Sequence, residues 1–195
     1  MLATGSKASL DQLLTWLIHA FRSVDPQAVA FVTSVDPEDL LRRVEPLPVG
    51  LPELPSGQPD LESLCEELHT EYVRLFVNDR ASEPAHPEAL AYAAAHSRGG
   101  PAAFLHSVQE RAREVGVELD AASVYPLDHL TVLLELLYLE GHGDVESLRQ
   151  SVVTRELLRP WLGEFLERLE GLEPHVFYRN AARVLGVLTG VEEPA

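Results

Sequence analysis

The sequence holds a single cysteine, Cys65. That excludes an intrachain disulfide and any multi-cysteine zinc or iron–sulfur centre. Its only lysine is Lys7, so the basic side chains are almost all arginine. Basic charge is scarce altogether: 15 Lys and Arg stand against 31 Asp and Glu, a formal net charge of −16. Such a balance argues against non-specific binding to nucleic acid or to an anionic membrane, because phosphate contacts need Lys and Arg. It suits attraction of a cationic partner. Aromatics make up only 7 % of the chain, and no alternating apolar–polar stretch of useful length reads as a strand. The apolar run Leu13–Ile18 is too short to span a bilayer, and no small-residue cleavage site follows it. A cytoplasmic location is the resulting expectation. The eight histidines include no i, i+4 pair and no HExxH. Gly99-Gly100 lacks the residues of a phosphate loop, and no G-x-S-x-G elbow occurs. No metal, cofactor or catalytic constellation is expected.

What is abundant is Leu, Ala, Glu and Arg, the residues of helices. Ser9 and Gln12 form a capping-box pattern for a helix to about Val24 with an apolar stripe from Leu10 to Phe21. Asp25-Pro26 and Asp36-Pro37 each open a short helix. The proline-rich stretch Glu45–Asp60 reads as a stiff, extended connection. Asp60 caps a helix to about Phe76, buried along Leu61, Leu64, Cys65, Leu68, Tyr72, Leu75 and Phe76, with Glu62, Glu66, Glu67 and Glu71 outside. A short helix is expected over Pro87–His96, another from Pro101 to about Val115, and Gly116 ends it with a positive φ. Asp144 caps a helix to about Leu158, Pro160 opens one to about Glu170, and Pro174 begins the last, closed by Gly190. The spacing predicts an all-α chain of about ten helices in two lobes, residues 1–116 and 126–190, joined by a hinge over 117–125.

The chain is organised around Tyr125-Pro126-Leu127-Asp128-His129-Leu130 and the leucine-rich helix it opens. Asp128 is the expected N-cap. Asp128, Thr131, Glu135, Tyr138 and His142 recur at intervals of three and four, one polar stripe on an apolar rod. That stripe is either a thin solvated face or the lining of a cleft, and periodicity does not separate the two. Asp128 and His129, as adjacent residues, point apart and make a poor catalytic dyad.

Three pieces occur in order: Glu71-Tyr72-Val73-Arg74-Leu75-Phe76 with Pro84, Pro87, Glu88 and Tyr92; Tyr125–Leu130 with Glu135; and Leu157-Leu158-Arg159-Pro160-Trp161-Leu162 with Phe177-Tyr178. Together they resemble the TorD/DmsD/NarJ-type family of cytoplasmic redox-enzyme maturation chaperones. The resemblance implies a non-enzymatic, all-helical protein that binds the twin-arginine leader and the apo form of a molybdopterin oxidoreductase subunit, holding export until the cofactor is inserted. It places peptide binding at Tyr125, Pro126, Asp128 and His129. Glu135 and Tyr138 join them on the stripe, because a carboxylate takes a guanidinium by charge-assisted hydrogen bonds. Glu71, Tyr72, Phe76 and Trp161 form a possible secondary set. Ala85-His86-Pro87-Glu88-Ala89 and Leu157 depart from the family's usual Pro-Tyr-Glu-Ser and histidine, which leaves subfamily and client open. The alternatives are a helical adaptor using the acidic helix Asp60–Phe76 and a small hydrolase using Asp128, His129 and Glu135. Monomer and lobe-swapped dimer are both compatible with the sequence.

Overall fold

In the computed structural model the described residues are 4–22, 24–44, 60–77, 84–96, 99–118 and 125–191. Among them nine α-helices follow one another: α1 Thr4–Ala20, α2 Pro26–Ser34, α3 Pro37–Val44, α4 Leu61–Tyr72, α5 Gly100–Glu114, α6 Leu130–Glu140, α7 Val145–Gln150, α8 Arg159–Gly171 and α9 Val176–Thr189. No strand occurs among these residues, only an isolated antiparallel bridge between Glu88 and His129. The chain is all-α, as its composition implies.

Local chemistry accounts for most helix starts. The carboxylates of Asp25, Asp60 and Asp144 accept first-turn backbone N–H groups of α2, α4 and α7. Pro26 and Pro101 stand in first turns, where a missing N–H costs nothing. The expected capping box at Ser9 is not used: α1 begins five residues earlier, at Thr4, ends at Ala20 and buries Ser9. Propensity alone does not arbitrate between two polar starts when the same apolar stripe follows both.

Three further expectations are corrected. The helix expected over Pro87–His96 is a pair of 3-10 turns, Ala89–Ala91 and Ala93–His96. The run from Asp144 to Leu158 breaks at Ser151, whose hydroxyl accepts the Thr154 N–H, and resumes as a π-helical turn, Val153–Leu158, leading into α8. Pro160 explains the wide turn, because its ring would strike the carbonyl four residues back in an α-helix. The Trp161 indole donates to the Leu157 carbonyl at 2.6 Å, satisfying an acceptor at that junction. The helix expected to reach Phe76 passes from α4 into a second π-helical turn, Val73–Val77.

The core lies between α1, α6, α8 and α9, with α1 packed against α2, α3, α6 and α9. Leu10, Leu13, Leu14, Leu17 and Phe21 are fully buried, and the Trp16 indole donates to Val32 O of α2 at 3.0 Å. Phe76 sits among Phe21, Tyr72, Phe165 and Tyr178, at ring-centroid separations of 5.1–6.5 Å. These aromatic contacts link α1, α4, α8 and α9 and add to the burial that holds them. At the C-terminal end of α9, Gly190 takes φ 67°, while Arg149 and Arg159 donate to the carbonyls of Val187 and Thr189. The buried side chains draw on both expected lobes and form one cluster. The proline-rich stretch 45–59 and the middle of the expected hinge, 119–124, lie outside the described residues.

Candidate functional site

Pro126 is exposed and turns the chain, its carbonyl accepting the His129 N–H at 3.0 Å. The segment then pairs with residues 87–90. Ala89 N–H donates to Asp128 O at 2.9 Å and Leu130 N–H to Pro87 O at 2.7 Å, closing the bridge between Glu88 and His129. Two of the pieces picked out in the sequence are thus clipped together, although 38 residues separate Leu90 from Asp128.

Asp128 does not cap α6. It is 5 % exposed, and its Oδ2 accepts the Leu90 N–H at 3.0 Å, capping the 3-10 turn Ala89–Ala91 instead. The N-cap of α6 is His129, whose Nδ1 accepts the Thr131 N–H at 3.1 Å. This cap works only while Nδ1 carries no proton, and burial pushes the imidazole down to about 4. Tyr125 covers the ring at a centroid distance of 4.5 Å. Glu88 lies beside them: burial raises its pKa, His86 opposes that, and the Asp128 charge adds to it. The Tyr72 phenol is raised first by burial and then by nearby Tyr125 and Glu88. Tyr72, Glu88, Tyr125 and His129 therefore gather where α4, the 3-10 turns and the start of α6 meet.

The polar stripe on α6 is not one surface. Thr131 is fully buried and its hydroxyl donates to Phe21 O at 3.3 Å, holding the end of α1. Glu135 is half-exposed and already engaged: Arg22 Nη2 donates to its Oε1 at 2.6 Å. One turn on, Tyr138 and Leu139 are 41 % and 47 % exposed, the two large apolar side chains α6 leaves in solvent. His142 bonds Glu140 at 2.8 Å, and Arg111 reaches the same carboxylate from α5. Burial raises the Glu140 pKa, but the hydrogen bonds from His142 and Arg111 outweigh it and hold the carboxyl below its ordinary value. That trio ties α5 to α6.

Three of the secondary set lie in the core, and the fourth, Glu71, is engaged in a brace. Tyr72, Phe76 and Trp161 are 7 %, 4 % and 0 % exposed. Glu71 accepts two bonds from Arg74 at 2.7 Å and one from the His175 N–H at 2.7 Å, while Arg74 reaches Leu172 O. This brace fixes α4 to the α8–α9 connection. Sequence reasoning missed Arg22, which carries no local signal because its partner lies 113 residues away. Two clefts are present. One, of about 620 Å³, is walled by Glu66, Glu67, Glu71, Arg74 and His175, so Glu71 of the secondary set lines it; the other, of about 490 Å³, lies between the start of α5 and residues 155–160. No three His, Cys, Asp or Glu among the described residues are placed to hold a metal ion. None of the described helices is long and apolar enough to cross a membrane.

The family model for the nitrate reductase delta subunit matches residues 54–167, more than half of the chain. The match takes in the Glu71–Phe76 piece, the clipped segments 84–92 and 125–130, all of α6, and Pro160-Trp161. No curated protein and no solved structure matches the chain significantly. A hydrolase built on Asp128, His129 and Glu135 falls on both counts: the family is non-catalytic, and the three side chains are occupied as a turn cap, a helix cap and an ion pair. The chain belongs to the nitrate reductase delta subunit family, chaperones of molybdoenzyme maturation.

Proposed function

We propose that this chaperone binds the twin-arginine leader of a molybdoenzyme subunit on the surface formed by Tyr125, Pro126 and the exposed face of α6, and holds the subunit in the cytoplasm until its cofactor is in place. The carrying observation is that Glu135, half-exposed, accepts a guanidinium at 2.6 Å with Tyr138 and Leu139 exposed one turn further along. A carboxylate followed at i+3 and i+4 by apolar side chains matches a peptide that offers arginine and then an apolar stretch. Asp128 and His129 serve by holding the clip and the start of α6, through Asp128 Oδ2 and His129 Nδ1, which accept backbone N–H groups.

The test is titration with a synthetic twin-arginine leader peptide and its twin-lysine counterpart. The wild type should prefer arginine, whose planar fork fits a carboxylate. Glu135→Gln should weaken binding by roughly three- to tenfold, the range for a charged hydrogen bond at a half-exposed site. Equal affinity of wild type and Glu135→Gln would sink this placement of the leader.

A further inference from the structure

The ion pair between Arg22 and Glu135 has features that a purely structural brace does not need. Arg22 stands just past the end of α1, where Phe21 is fully buried and its carbonyl is held by Thr131. The backbone is therefore anchored, while the two charged side chains stay 38 % and 40 % exposed. The guanidinium is poorly used. Nη2 meets Glu135, but Nε is shielded from solvent and has no hydrogen-bond partner. A shielded donor left unpaired costs free energy, so this contact is weaker than the bidentate geometry available to an arginine free to orient itself. The next turn of α6 leaves Tyr138 and Leu139 41 % and 47 % exposed.

Resting on the proposed function, we propose that Arg22 is an internal stand-in for the client's arginine: it occupies Glu135 in the unloaded chaperone and yields that carboxylate to an incoming guanidinium as the client's apolar residues settle on Tyr138 and Leu139. Exchange at Glu135 favours the newcomer only modestly: a client arginine free to present its planar fork gains somewhat more from the carboxylate than Arg22 loses with its single Nη2 contact. A lone arginine on an unrelated protein therefore gains little by displacing Arg22. A segment that also brings apolar side chains gains the burial of Tyr138 and Leu139, and that difference sets selectivity. The stand-in also keeps Glu135 neutralised in a chain of net charge −16.

The experiment is a titration of the twin-arginine leader peptide into wild type, Arg22→Met, Arg22→Lys, Glu135→Gln and the double variant Arg22→Met/Glu135→Gln, with a thermal melt of each. Arg22→Met should tighten binding by about two- to fivefold, the worth of a half-exposed ion pair that no longer has to be broken. Arg22→Lys, a competitor without the planar fork, should give a smaller gain. In the Glu135→Gln background Arg22→Met should change nothing, since the contested carboxylate is gone. If Arg22→Met lowers thermal stability, Arg22→Lys carries the comparison. Unchanged or weaker binding in both Arg22 variants, with wild type binding and Glu135→Gln impaired, overturns the stand-in and leaves the proposed function intact. Absence of peptide binding in every variant overturns both.

Discussion

His129 shows how one side chain joins stability to acidity. Its Nδ1 caps α6, and burial lowers its pKa from 6.5 to about 4. The unfolded chain thus takes up the proton first as pH falls, and stability rises with pH across that window. The contribution is fully present above about pH 6.5 and is lost as pH falls toward 4. Between pH 7 and pH 5 it should amount to roughly 2 kcal/mol. His129→Asn keeps an acceptor for the Thr131 N–H without the titration, so chemical denaturation of wild type and variant at the two pH values isolates the term. Parallel pH dependence of the two would refute the assignment. The sequence placed the cap one residue early, at Asp128, because aspartate is the preferred N-cap and the two positions cannot be told apart by periodicity. What distinguishes them is tertiary: Asp128 is drawn 38 residues back to Leu90.

At the scale of elements, the clip between residues 87–90 and 128–130 sets where the proposed site stands. Asp128→Ala removes the acceptor of a part-buried N–H and should cost about 1–3 kcal/mol, with faster hydrogen exchange at the Leu90 amide. Asp128→Asn keeps an acceptor oxygen and should cost much less. Peptide affinity should follow the same order, whereas a direct contact between Asp128 and the client's arginine would make the two variants equally poor. Local signals were legible in the sequence. The helix start at Asp25-Pro26, the caps at Asp60 and Asp144, the positive φ of Gly116 and the apolar stripe of α1 agree with the sequence, since each depends on neighbours within a turn. The π-helical turns were not legible, nor was the division of the α6 stripe into a buried end at Thr131 and an open one at Tyr138. Those depend on which partner packs where, and the contact of Thr131 with Phe21 spans 110 residues.

For the whole molecule, the excess of 31 acidic over 15 basic residues bears on encounter rather than on fold. A cationic leader should associate rapidly at low ionic strength, and raising salt from about 20 to 300 mM should slow association roughly tenfold or more. Dissociation, governed by the short-range contacts on α6, should change far less. Stopped-flow mixing measures both, and salt-insensitive association would show that the surface field does not steer the peptide. The core beneath that surface has its own optical signature. Both tryptophans, Trp16 and Trp161, are at most 2 % exposed and each donates its indole N–H to a carbonyl. Trp161 also stacks on Tyr92 at 5.4 Å, directly behind the clipped turn. Intrinsic fluorescence therefore belongs to the interior: its colour follows the packing of α1 and α8, while a peptide resting on Tyr138 and Leu139 leaves it unaltered. The chain carries, in effect, an internal dye that separates occupancy of its surface from loosening of its frame.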